Sequence, residues 1–189
     1  MPMNSEPEPD TQHKRLGRGM IYLMWMLVIG MLTLFFNTVL ERQHNPNRTA
    51  VTQIQADGAR EVVLQRNRYG HYVATGLING EKTVFMLDTG ASDVAVPERV
   101  AKRLQLKRGP EVLYWTANGR AIAYATVLES VSLGEIVLND VRASINPNMD
   151  GDEVLLGMTF LKYLEFTQQG DRLTLRQGPS PDAFKARSP

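Results

Sequence analysis

Asp88 stands at the end of the apolar run Val84-Phe85-Met86-Leu87 and is followed at once by Thr89, Gly90, Ala91 and Ser92. Such a run reads as a buried strand, so the carboxylate is delivered to a turn where glycine permits close backbone approach. A carboxylate placed in this way is suited to general acid-base work on water or a carbonyl. An Asp-Thr-Gly triplet alone is also an ordinary turn. A second motif downstream, Leu155-Leu156-Gly157, again an apolar run closed by glycine, weighs against that plainer reading.

Other chemistries find less support. Ser92 has no Gly-x-Ser-x-Gly elbow and no histidine partner for acyl transfer. There are no cysteines, which removes thiolate nucleophiles and cysteine-bound zinc, and His13, His44 and His71 form no HExxH pair. Asn146-x-Asn148-x-Asp150-Gly151-Asp152 opens like a calcium loop, but the twelfth position, which needs a bidentate glutamate, is Gly157. No metal and no cofactor is therefore expected. A formal net charge of +1 and a pI near 8.0 give no field that would draw nucleic acid.

The elements that would hold Asp88 follow from pattern. Short runs rich in Val, Ile, Leu and Tyr, broken by Gly, Asn and Asp, predict strands over 61–66, 71–78, 82–87, 112–116, 121–128, 131–133, 135–138, 141–145, 154–156 and 172–176. Asn79-Gly80 and Asn118-Gly119 each fall between two such runs and predict tight hairpins. Short helices are expected over 97–106, with Pro97 in the first turn, and over 158–164. Residues 20–40 hold 21 positions without a charge, about 31 Å of helix, enough to span a bilayer. The chain of 189 residues thus divides into a polar N-terminal segment (1–19), a transmembrane helix (20–40), a tether (41–60), one β-domain (61–177) and a polar tail (178–189), both terminal segments being expected to be disordered.

FMLDTGAS, a hairpin at WTANGR and VLLGMTFL, in that order, resemble the retropepsins, and more closely the single-span bacterial members of the same clan. The resemblance covers residues 72 to 164. It implies an all-β fold, a small closed β-barrel of the acid-protease type with one or two short helices, preceded here by the transmembrane helix. It makes Asp88 catalytic, with Thr89 bonding across a two-fold axis, Gly90 and Ser92 near substrate, and Ala91 in place of the serine common in pepsin-like enzymes. Asn118 and Gly119 become the turn of a mobile flap, on which Tyr114, Trp115 and Ile122 are either substrate contacts or hairpin packing. Leu155, Leu156 and Gly157 form the strand threaded beneath the site.

Hydrolysis by water needs a base and an acid together, which two adjacent aspartates provide. The other aspartates lack the apolar-strand setting, and the domain is too short for pepsin's two lobes. The second carboxylate is then expected from Asp88 of a second copy, in a two-fold homodimer. Met158 stands where many retroviral enzymes have a dimer-bracing arginine, and residues 172–176 are a candidate for the interleaved terminal strand of such dimers. The expected function is a membrane-anchored aspartic endopeptidase acting on peptides or proteins. Lys14, Arg15 and Arg18 before the span favour a cytoplasmic N-terminus, with the domain outside the cytoplasm, in the periplasm if the source is Gram-negative. The rival reading from a different class is a non-catalytic dimerisation or peptide-binding module on the same fold.

Overall fold

The structure, a computed structural model, describes residues 11–116 and 119–179. It divides into two units, Met1–Glu41 and Arg42–Pro189. The first is dominated by α1 (Thr11–His44), in which the apolar side chains from Met20 to Leu40 are exposed almost throughout. The stretch Gly19–His44, 26 residues, is long and apolar enough to cross a bilayer. Its exposed aliphatic and aromatic surface is costly in water and favourable in lipid.

The second unit is built from strands. A four-stranded sheet runs in the order β1 (Thr52–Ile54), β2 (Arg60–Gln65), β11 (Arg172–Gln177), β10 (Glu165–Gln169), antiparallel throughout. A seven-stranded sheet has the order β3 (Val73–Ile78), β4 (Glu81–Leu87), β9 (Glu153–Leu156), β5 (Val94–Pro97), β8 (Ile136–Asn146), β7 (Gly119–Leu133), β6 (Glu111–Thr116). β3 also pairs with β7, but only at Leu77–Ser132 and Ile78–Val131, and β5 meets β9 only at Ala95–Leu155. The mostly β architecture is as expected, with the seams at β3–β7 and β5–β9 limited to one or two residue pairs. The core between the sheets includes Leu64 and Leu175 from the smaller sheet and Phe85, Ile78, Leu128, Ile136 and Leu156 from the larger, all fully buried.

The Asn79-Gly80 hairpin forms as read: Ile78 pairs with Glu81, and both turn residues take the positive φ (50° and 84°) that a two-residue turn demands. Two pairs of expected strands merge into the 15-residue β7 and the 11-residue β8. Their ladder lapses at Glu129 and Asp140, where Asp140 has φ 53°, and resumes in the same register. The helices are shorter than expected, α2 being Glu98–Arg103 and α3 Met158–Leu161.

The segment expected as a tether is built into the fold. Asn45 and Asn47 are buried, and the Asn47 side chain bridges the sheets, with Nδ2 donating to Gln65 O (2.9 Å) and Val73 O (2.8 Å) and Oδ1 accepting from Gln65 N (2.8 Å). β1 follows within the same segment. β11 is paired on both sides, by β10 and by β2, so residues 172–176 have no edge left to interleave with another chain; among the described residues the outer strands of that sheet are β1 and β10, and all five residues of β10 are exposed.

Candidate active site

β4 carries Asp88 to its place because β4 lies parallel to β9, with Met86 opposite Leu155 and Leu87 opposite Leu156. Two distant apolar runs thereby end side by side. The loop after β4 is then fastened to the chain after β9: Asp88 N donates to Leu156 O (3.3 Å), and Met158 N donates to Ala91 O (2.9 Å). Leu87 N is held on the other side by Tyr72 O (3.0 Å). Gly157 sits so close under this loop that a Cβ there would lie 2.1 Å from Asp93 O and 2.7 Å from Ala91 O. The sequence pairing of Asp-Thr-Gly with Leu-Leu-Gly is thus a packing relation, and the second glycine is the condition for it.

The Asp88 side chain is half-buried, and its Oδ1 accepts the Gly90 N–H at 2.8 Å. Thr89, Gly90 and Ser92 are exposed around it, and Ala91 is half-buried. The carboxylate is therefore oriented by backbone on a turn whose neighbours Thr89 and Gly90 are exposed, a setting in which a carboxyl group can reach a water or a second acid.

Sequence reasoning missed Asp93, five residues on. Its two oxygens are engaged separately: Tyr114 Oη donates to Oδ2 at 2.5 Å and Ser144 Oγ donates to Oδ1 at 3.1 Å. Burial, reinforced by this acceptor, pushes the Tyr114 phenol above its ordinary value of 10.0. Tyr114, read as a flap residue, is therefore tied by its hydroxyl to the loop that follows β4. Thr159 was also missed; its hydroxyl accepts from Val94 N (3.1 Å) and donates to Arg142 O (2.8 Å), pinning the end of the loop. Each depends on a partner about 20 to 65 residues away, so no local pattern reveals it.

The expected flap is the β6–β7 hairpin. Gly119 opens β7 paired with Thr116, one step later than a turn position, while Asn118 and the Trp115 side chain lie outside the described residues. Ile122 is 44% exposed and pairs with Leu113, 52% exposed, which makes an apolar cross-strand couple on the hairpin. A cavity of about 1000 Å³ opens beside Ser92, Asp93 and Tyr114, extending past Val112 to Leu106 and Pro110; Asp88 does not line it. The calcium-like segment is occupied with its own turn, Asn146 Oδ1 accepting from Asn148 N (2.9 Å), and Asp152 is paired with Arg99 (2.7 Å).

Comparison with known proteins places the chain in a family. The family model described as gag-polyprotein putative aspartyl protease matches residues 74–163, which enclose Asp88 and Gly157. An uncharacterized protein in the cobV 5′ region of Sinorhizobium sp is 31% identical over 175 residues, 86% of this chain and 75% of that protein. The uncharacterized protein RP867 of Rickettsia prowazekii (strain Madrid E) is 34% identical over 106 residues, 54% of this chain and 45% of its own length. Among solved structures, a retropepsin-like aspartic protease from Rickettsia conorii matches with a TM-score of 0.55 at 30% identity, covering 69% of this chain and 97% of that one.

Proposed function

This chain belongs to the retropepsin-like aspartic proteases, and from that premise we propose that it is a membrane-anchored aspartic endopeptidase in which Asp88 is one half of a catalytic pair. The observation that carries the reading is the setting of Asp88: a carboxylate oriented by the Gly90 N–H, on a loop locked against Leu156 and Gly157, beside the exposed Thr89 and Gly90.

Two carboxylates a few ångströms apart share a proton, so one takes a proton from the attacking water while the other gives one to the scissile carbonyl. Within the chain the nearest rival for the second role is Asp93, but both its oxygens already accept hydrogen bonds from Tyr114 and Ser144. Supply of the second group by Asp88 of another copy satisfies the chemistry, and a two-fold axis brings identical loops face to face. The open edge of β10 suits isologous strand pairing between the copies. Thr89 and Gly90 then sit at the meeting of the loops, with Leu113 and Ile122 of each hairpin presented to an extended peptide. Anchoring through α1 confines both copies to one surface and raises their effective concentration.

The test is Asp88→Asn in the full chain. Peptide cleavage should vanish while the urea unfolding midpoint and the association state stay as in the wild type. Retained cleavage would end the proposal, and absence of cleavage in both proteins would favour the non-catalytic module.

A further inference from the structure

We infer that the loop of residues 66–71 rests on the lipid headgroups of the bilayer that α1 enters, with Arg68 and Tyr69 as its lipid contacts. The inference depends on α1 spanning a membrane and not on catalysis.

The uncharged apolar run ends at Leu40, and Glu41, Arg42, Gln43 and His44 complete the helix. Four residues at about 1.5 Å each advance the chain only about 6 Å. The polar layer of a bilayer is itself about 5 to 8 Å deep on each side. Residues 43 and 44 therefore lie at headgroup level.

The loop is fastened at that level. Arg68 Nη1 donates to Gln43 Oε1 at 2.7 Å, Asn67 Nδ2 donates to His44 O at 2.9 Å, and the rings of Tyr69 and His44 meet edge to face with centroids 6.2 Å apart. Immediately afterwards Asn45 bonds Thr75 and the buried Asn47 bridges β2 and β3, so the chain from Arg42 onward belongs to the same unit as the loop. The loop is rigid in its own right, since Asn67 Oδ1 accepts from both Tyr69 N (2.9 Å) and His71 N (3.0 Å).

The side chains it presents suit that depth. Tyr69 is 59% exposed, and the exposed Arg68 lays its guanidinium over the Tyr69 ring at 5.1 Å. An amphipathic ring settles at the boundary of headgroup and acyl chain, and a guanidinium forks onto phosphate oxygens. The carboxylates in the same network are engaged, Glu153 by His44 and Asp171 by Arg66. A soluble partner would have to displace lipid to reach this face, because covalent continuity with the span already puts it there.

The absence of cysteine makes the test direct. Full-length Tyr69→Cys, and separately Arg68→Cys, would be labelled with nitrobenzoxadiazole and placed in nanodiscs holding phosphatidylcholine with a headgroup nitroxide. Phe36→Cys in discs with an acyl-chain nitroxide reports the span. The expected result is quenching of all three labels relative to nitroxide-free discs. Quenching of the Phe36 label with neither loop label affected would overturn the inference. An unquenched Phe36 label would overturn it at the premise, by placing α1 outside the bilayer.

Discussion

Replacing Gly157 by alanine puts a methyl carbon 2.1 Å from Asp93 O, 2.7 Å from Ala91 O and 2.8 Å from the Asp93 carbonyl carbon. All three are backbone atoms, so no rotamer change relieves the contact. To restore even a 3.0 Å separation the Asp93 carbonyl must retreat by about 0.9 Å, and with it the loop that begins at Asp88. Overpacking of this kind costs about 1 to 3 kcal/mol of stability. It also strains the bonds from Asp88 N to Leu156 O and from Met158 N to Ala91 O, which fix the height of the carboxylate. A misplacement near 1 Å at a reacting group costs on the order of 100-fold in rate. Two measurements on full-length Gly157→Ala check this, a urea midpoint by circular dichroism and kcat/KM on a peptide that the wild type cleaves. A variant with both stability and kcat/KM close to the wild type would refute the claim that Leu156 and Gly157 position Asp88.

Three further outcomes follow from the same geometry. Asn47→Ala removes the partners of Gln65 O, Val73 O and Gln65 N between the two sheets, and should lower unfolding stability by about 2 to 4 kcal/mol in urea titration. Phe166→Lys on the exposed β10 edge should weaken self-association about tenfold or more in sedimentation equilibrium, with the unfolding midpoint nearly unchanged. On the acid side, the Arg108 guanidinium holds the Glu98 carboxyl below its ordinary 4.5, and the Ala59 N–H, with Arg176, holds Asp57 below 3.8. Depressed carboxyls contribute stability above their unfolded values that is lost as pH falls through the folded ones. The urea midpoint should therefore fall below about pH 4.5, a decline that Arg108→Gln makes shallower, modestly so because the pairs meet solvent.

The sequence was most legible where one segment carries its own signal. Asn79-Gly80 specifies its hairpin without help, and the apolar runs before Asp88 and Gly157 identify the two strands that meet beneath the loop. It was least legible where a strand exists only because of a remote partner. β10 is polar and wholly exposed, β1 is three residues long, and β5 is a brief Val-Ala-Val before Pro97; each is defined by pairing with β11, β2 and β8 respectively. Asn45 and Asn47 read as linker residues by composition, yet they are buried because the Asn45 amide bonds the Thr75 hydroxyl and the Asn47 amide satisfies backbone groups of two strands, partners that no local pattern reveals. Asp93 had the same fate: its neighbours in sequence say loop, and only the fold brings Tyr114 and Ser144 to it.

The half-site claim is tested most directly by mixing. Wild type and Asp88→Asn would be combined at fixed total concentration, allowed to exchange subunits, and assayed for cleavage. If each site needs Asp88 from both of its copies, activity follows the square of the wild-type fraction, and an equal mixture retains about one quarter of it. A linear fall, with about one half retained, would contradict the account by placing a complete site in one chain.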